Sequence, residues 1–373
     1  AMMLGDLGAQ VIKVEPLDGD WLRQIGPFVQ GESALFIRLN RNKKGICLNL
    51  KQEEGKEVFL RLAQGADILI EGYRPGAMDK LGLSYEALAK SNRGLVYCSI
   101  SAMGSQGPMA ELPRTELDIQ ALAGKDRQLG VPGEPPLRDG YDIVSSNAAW
   151  AAGQGILAAL FSRERTGEGQ RVETSLLDAA IAIAQWAINA EGNPDEWKGR
   201  PLSGYAEPPD HGYQCKDASF LLDIGRDDEA WNTFCTAVGA EHLATDPRFD
   251  DFMKRASDRM ALQEALKPVL ASWSFNDLRD LVQGMGGTIV LMHNFESLVN
   301  DPQVEALEIV REMQHPVAGK YKTLDVPWDF SEPIARASEV PAPLLGQHTR
   351  ELLSELGYKK AAISALLAKK AAA

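Results

Sequence analysis

The residue placed to do chemistry is Asp142, in the run Leu137-Arg-Asp-Gly-Tyr-Asp142-Ile-Val-Ser-Ser-Asn147, ahead of an Ala/Gly-rich stretch from Ala148 to about Arg163. That stretch predicts a helix. A carboxylate just ahead of a helix N-terminus faces unpaired backbone N–H groups and the positive end of the helix dipole, which favours negative charge there. An ionised carboxylate can act as a nucleophile and form covalent intermediates. The plainer reading is that Asp142, Ser145, Ser146 or Asn147 caps the helix, the common duty of such residues at that place. Spacing leaves both readings open.

The elements that would position Asp142 follow an alternating pattern. Val11–Glu15 reads as a strand followed by a Pro/Gly/Asp loop to Asp20, and Gly45–Leu50 as a second strand after the polar turn Asn40–Lys44. Glu53–Gln64 reads as an amphipathic helix, Ala66–Glu71 as a buried strand, Tyr85–Ser91 as a helix and Gly94–Ile100 as a strand. This is the βαβ alternation of a parallel sheet, so the first part is a Rossmann-like α/β domain. Ligands of such sheets bind beyond the carboxyl ends of the strands, where Gly72–Arg74 and Ser101–Gly107 fall. Helices are expected over Ala148–Ser162 and Leu176–Ala190, with a turn at Thr166–Gln170 and a strand between them. The stretch Glu191–Pro209 has the composition of a linker. A hairpin (Tyr213–Lys216 with Ser219–Ile224) and helices over Asp228–Val238, Arg255–Ser272 and Ser274–Gln283 make a smaller α+β domain. After Asp325 a Pro-rich arm leads to a helix at Thr349–Leu356 and a Lys/Ala-rich tail, Lys359–Ala373, expected on the surface. The domain expectation is therefore 1–190, linker 191–209, 210–325, and a C-terminal arm 326–373 returning to the first domain.

Composition narrows the function classes. The 373 residues are 45% hydrophobic with interspersed charges, enough for two cores, and 39 basic against 52 acidic residues give a net charge of −13. That balance argues against nucleic acid or an anionic membrane as a partner, and no apolar run reaches membrane-spanning length. The four cysteines show no metal-ligand spacing and read as reduced, which points to a cytoplasmic protein with no metal. Dinucleotide, Walker, HExxH and GxSxG motifs are absent. Among five histidines, His242 and His315 are expected to be solvated, and His211, in the loop Pro208–Gly212, is the one that could line a site. Arg23, Arg41, Lys43, Lys44, Arg74 and Lys80 lie at the early strand ends, and together they predict an anion site.

Several collinear blocks carry a resemblance. They are Leu7-Gly-Ala-Gln-Val-Ile-Lys-Val-Glu15-Pro, Gly19-Asp20 with Arg23, Asn40-Arg-Asn-Lys43, Arg74-Pro-Gly76, Leu81-Gly-Leu83, and Gln120-Ala121 with Gly124. Gly153–Leu160, Arg163–Val172, Asp246–Phe249, Asn300–Gln303, His315-Pro and Pro343–Thr349 continue them. With these the chain resembles the class III CoA transferases, the formyl-CoA transferase and carnitine CoA-transferase (CaiB/BaiF) family.

The resemblance implies transfer of CoA from an acyl-CoA thioester to a carboxylic acid, through an anhydride and a thioester on an aspartate that Asp142 matches. It places Glu116 near that nucleophile, and Leu48, Gly72, Tyr73, Arg74, Lys80 and Leu81 along the site of coenzyme A, the co-substrate. It also implies an interlocked homodimer, and a first strand with its turn upstream of Ala1, where Ala1–Gly8 reads as the middle of a helix. The family's glycine-rich loop over the nucleophile is not reproduced. Pro208–Gly212, with His211 and Gly212, stands near its place as a substrate loop, so formate or oxalate specificity is not implied. Met285–Val290 replaces a usual Gly/Pro segment and is expected to alter the substrate wall. The related α-methylacyl-CoA racemases need a base on each side of the α-carbon, and the position matching their histidine is Thr115. A catalytically silent CoA-binding subunit is the remaining alternative.

Overall fold

The computed structural model describes residues 1–128, 135–184, 212–332 and 340–373. Contacts divide the chain into two compact units, one of Ala1–Ala123, Tyr141–Ala184 and Pro302–Ala373, the other of Gly124–Gly140 and Gln185–Asp301. The expected linker and His211 lie outside the described residues.

In the larger unit the chain runs α1 (Met2–Asp6), β1 (Val11–Glu15), a small antiparallel hairpin β2 (Phe28–Val29) and β3 (Glu32–Ser33), α2 (Ala34–Leu39) and β4 (Lys43–Cys47). It continues through α3 (Glu53–Gln64), β5 (Ile68–Glu71), α4 (Ala77–Lys80), α5 (Tyr85–Leu88), β6 (Val96–Ser101), α6 (Glu116–Leu122), α7 (Ile143–Thr166), β7 (Arg171–Ser175) and α8 (Leu176–Ile183). The parallel pairing expected from the alternation is present in two ladders. One joins β1 to β4 with Val14 opposite Ile46; the other has the order β5-β6-β7. β-branched and aromatic residues supply the strands, and the 3.6-residue period of α3 turns Val58, Phe59 and Ala63 inward.

Tertiary contacts move several boundaries. The second strand covers Lys43–Cys47 rather than Gly45–Leu50, because the chain beyond Cys47 pairs elsewhere: Leu48 bridges Ala372, and Asn49 N–H donates to the Ala371 carbonyl. The tail expected on the surface is therefore buried at its end. Ile363 and Leu366 of the helix Lys360–Ala368 join Ile46, Leu48, Val58, Leu352 and Leu353 in one core, and Ala371 and Ala372 are also buried. Each such Leu or Ile contributes about 1.5–3 kcal/mol of transfer free energy, enough to hold a segment whose composition is otherwise solvent-loving.

The turn after α7 falls where its glycines place it. Gly167 ends the helix at φ 75°, and a Cβ on Gly169 would sit 2.1 Å from the Leu95 carbonyl oxygen, so only glycine fits that approach. His315, expected to be solvated, is instead buried at a hairpin turn where its Nδ1 accepts the Val317 and Ala318 N–H groups. Burial pushes its pKa below the usual value.

The smaller unit holds an antiparallel sheet in which Ser219–Asp223 lies between Tyr213–Gln214 and Thr288–Leu291. Its core is Phe220, Trp231, Phe234, Leu278 and Val282. The single helix expected over Arg255–Ser272 is two, Phe252–Ser257 and Arg259–Leu270, because the Asp258 side chain accepts Ala261 N–H and starts the second.

Candidate active site

Asp142 is the residue from which α7 starts, but its side chain makes no capping hydrogen bond. Its dihedrals, φ −77° and ψ 59°, are those of an inverse γ-turn, not the extended backbone that lets an N-cap side chain reach the first-turn amides. The donors it would have taken are given to another residue. Glu116, first in α6, accepts Val144 N–H at 2.8 Å on Oε1 and Ser145 N–H at 2.7 Å on Oε2. Ser145 Oγ adds a third bond to Oε2 at 2.5 Å, and Gln120 Nε2 a fourth to Oε1 at 2.9 Å. α7 therefore begins at Ile143, ahead of the Ala148 that composition suggests, because a carboxylate remote in sequence satisfies its first turn.

The electrostatics match this geometry. Burial pushes the Glu116 carboxyl up, but the hydrogen bonds from Gln120, Ser145 and the two backbone amides outweigh it and hold the pKa below the ordinary carboxylate value. Asp142 is exposed and has no side-chain partner among the described residues. Of the two readings that spacing leaves open, capping belongs to Glu116. The head of a 24-residue helix then faces one committed carboxylate and one uncommitted one.

The six early basic residues separate sharply. Arg23 grips Glu15 through Nε and Nη2 at 2.8 and 2.9 Å and lies over the Phe36 ring. Arg41 pairs with Asp6, Lys43 is buried with its ammonium on Asn40 Oδ1 and the Leu39 carbonyl, and Lys44 reaches Glu351 and Glu355. These four are consumed in holding the fold, so the six-residue anion site expected from sequence is not formed. Arg74 and Lys80, in the turn after β5 and in α4, are exposed and have no carboxylate partner among the described residues. Gly72 and Tyr73 lie in that same turn, with Tyr73 N–H on Glu71 Oε2 at 2.7 Å.

Leu81 follows α4 and lines a groove of about 460 Å³ with Leu83, Leu60, Glu53, Glu54, Lys56 and Glu57, a rim in which three carboxylates face one ammonium. Leu48 is 2% exposed and packed in the core. In the smaller unit, Gly212 has φ 68° and leaves no room for a side chain: a Cβ there would lie 2.5 Å from the Phe220 carbonyl oxygen. Within Met285–Val290, Thr288 begins an edge strand of that unit's sheet.

Comparison with known proteins decides the family. The model of "CoA-transferase family III" matches residues 1–349. The chain belongs to CoA-transferase family III. It is 36% identical over 309 residues to the acetyl-CoA:oxalate CoA-transferase of Acetobacter aceti, covering 82% of this chain and 79% of that one. It is 32% identical over 370 residues to the succinyl-CoA:glutarate CoA-transferase of Mus musculus, covering 98% and 84%. A CaiB/BaiF family protein from Brucella suis superposes with a TM-score of 0.84 at 30% identity, covering 95% of this chain and 94% of the other, and shares the mixed α/β fold with parallel sheets.

The contacts of Gln120 and Ser145 with Glu116 in this CoA transferase are not among the sequence expectations. Gln120 is visible as a polar residue one helical turn after Glu116, the spacing at which side chains on a helix meet. Nothing local marks Ser145 as its partner. Thr115, the position at which a racemase would need histidine, is a helix N-cap reciprocally bonded with Asp118.

Proposed function

We propose that this family III CoA transferase moves CoA from an acyl-CoA to a carboxylic acid with Asp142 as the nucleophile. The observation that supports it is the transfer of the capping duty to Glu116, which leaves the Asp142 carboxylate unengaged at the head of α7. In the first step Asp142 attacks the thioester carbonyl, the C–S bond breaks, and an aspartyl-acyl anhydride forms with free CoA thiolate. The thiolate then attacks the Asp142 carbonyl of the anhydride, releasing the donor acid and leaving an aspartyl-CoA thioester. The acceptor carboxylate attacks that carbonyl, expelling thiolate and forming a second anhydride. Thiolate finally attacks the acceptor's acyl carbon, giving the new acyl-CoA and free Asp142.

Each step exchanges one activated acyl bond for another, which keeps every barrier low. Anhydrides hydrolyse, so productive turnover requires that water be excluded from Asp142. Glu116 holds the start of α7 in this scheme. Arg74 and Lys80 receive CoA phosphate, with Gly72, Tyr73 and Leu81 along its path, whereas Leu48 is packed in the core and is left out of it; His211 and Gly212 keep the substrate-loop role that the resemblance implies. The active form is the interlocked homodimer of the family, working in the cytoplasm; no helix among the described residues is long and apolar enough to cross a membrane.

The relatives named above take acetyl-CoA with oxalate or succinyl-CoA with glutarate. We therefore assign the donor to the short acyl-CoAs and the acceptor to small carboxylic acids. Incubation with acetyl-CoA or succinyl-CoA, hydroxylamine trapping and peptide mass spectrometry is expected to place a hydroxamate on Asp142, absent from Asp142→Asn. Turnover with no modification of Asp142 would defeat the scheme. Deuterium entering the α-carbon of a branched acyl-CoA without CoA exchange would replace it by racemisation.

A further inference from the structure

We propose that Gln120 is a positioning residue for Asp142, holding the turn that presents the nucleophile. The inference rests on the covalent mechanism proposed above. Gln120 is 2% exposed, and its Nε2 donates to Glu116 Oε1 at 2.9 Å and to the Tyr141 carbonyl oxygen at 3.1 Å. A carboxamide nitrogen carries two N–H donors, and here both have a destination. One is on the carboxylate that caps α7, the other on the peptide group joining Tyr141 to Asp142.

The two contacts act on one backbone hinge. Glu116 fixes the amides of Val144 and Ser145 on the helical side of Asp142, while Gln120 fixes the carbonyl on its other side. The φ and ψ of Asp142 are thus clamped from both flanks. Those angles keep the aspartate from folding back onto its own helix as an ordinary cap. Gln120 is itself buried, and neighbouring Ile119 is fully buried in one cluster with Val144 and Ala180, which anchors this stretch of α6. Gln120 bonds to Glu116 and to Tyr141 on the two sides of Asp142, so its expected effect is on the geometry of attack and not on recognition of CoA. Misplacing a reacting group by about 1 Å costs roughly a hundredfold in rate.

The test compares acylation of Asp142 in single turnover, with the 373-residue chain and acetyl-CoA or succinyl-CoA, whichever the wild type turns over. Gln120→Met keeps the length and burial of the side chain and removes both donors. It is expected to acylate about tenfold to a hundredfold more slowly, with KM for the acyl-CoA within about twofold of wild type. Gln120→Glu donates only when protonated and sets a second carboxylate against Glu116 when ionised. Its rate is expected to fall as pH rises through the titration of the introduced carboxyl, a limb that the wild type lacks.

Acylation of Gln120→Met at the wild-type rate would overturn the inference. So would equal losses in rate and in substrate binding with an unchanged pH profile, the pattern of a merely structural residue. Should Gln120→Met fail to fold, the Gln120→Glu profile decides alone, and a profile parallel to wild type refutes the proposal. A wild type that turns over acyl-CoA without labelling Asp142 removes the mechanism itself, a result distinguishable from every outcome of the two variants.

Discussion

Two carboxylates near helix termini, Asp6 and Asp142, have opposite fates. Asp6 ends α1, is 6% exposed, and accepts from Arg41 Nε and Nη2 at 3.1 and 2.6 Å and from Asn42 Nδ2 at 2.6 Å. Arg41 continues to Thr323 Oγ1 at 2.8 Å, so the network fixes the turn before β4 against the hairpin that contains Thr323. Asp142 has none of this, since its natural donors are given to Glu116. A carboxylate saturated by hydrogen bonds holds its neighbours in place and is a poor nucleophile; one left unengaged at a helix head adds only the small helix-dipole stabilisation and is free to react.

The largest effect that sharpens the contrast is on turnover. Asp142→Asn is expected to lower kcat by roughly 10⁴-fold or more, as loss of a covalent nucleophile does. Its stability in urea should fall by no more than about 0.3–1 kcal/mol, because no hydrogen bond is lost and only the interaction of its charge with the helix dipole is removed. A variant that lost both activity and stability would show that Asp142 is structural after all. Asp6→Ala is the opposite case. Leaving Arg41 buried and unpaired is expected to cost about 3–5 kcal/mol in urea unfolding, with activity per folded molecule retained.

How far this contrast can be read in advance depends on distance along the chain. The parallel strands, α3, the glycine turn after α7 and the position of Asp142 are legible because period, turn residues and composition are local signals. The assignment of the cap is not. Glu116 and Val144 meet across 28 positions, and nothing in either neighbourhood announces the other. The same reason hides the fate of the basic residues: the partners of Arg41 and Lys44 lie at Asp6 and Thr323, and at Glu351 and Glu355. The tail misleads through composition, since Lys and Ala outnumber the Ile363 and Leu366 that decide its burial. The fold of the site is thus legible, while the allocation of its charges is not.

Arg74 and Lys80 extend the comparison to cations, as the two of the six singled-out basic residues that have no carboxylate partner among the described residues. Substitution of either by Ala is expected to raise KM for acyl-CoA about fivefold, near 1 kcal/mol for a solvent-exposed charge contact, with kcat and the urea midpoint unchanged. Arg23→Ala, by contrast, should lower stability through the loss of its two bonds to Glu15. A fall in stability for Arg74→Ala would place that residue with the structural set and remove it from the CoA site.

The smallest effect separates two adjacent lysines by pH. Lys43 is buried, and burial first, with the charge of Lys13 second, lowers its pKa to about 8; Lys44 is half-buried and is raised by its hydrogen bonds to Glu351 and Glu355. Between about pH 8 and the ordinary lysine value of 10.5, the unfolded chain holds a proton at position 43 that the folded chain has released. The unfolded state binds more protons in that window, so the Lys43 contribution to stability must rise with pH across it. Below about pH 8 both states are protonated and the contribution is flat. The urea midpoint of the wild type relative to Lys43→Met should therefore rise from about pH 7.5 to 10, a comparison that cancels the opposite slope of Cys47, Cys98 and Cys235, whose thiols burial pushes up, whereas relative to Lys44→Met it should stay level. A level difference between wild type and Lys43→Met across that range would mean that the ammonium at position 43 is hydrated in solution and that its bonds to Asn40 and the Leu39 carbonyl do not define its environment.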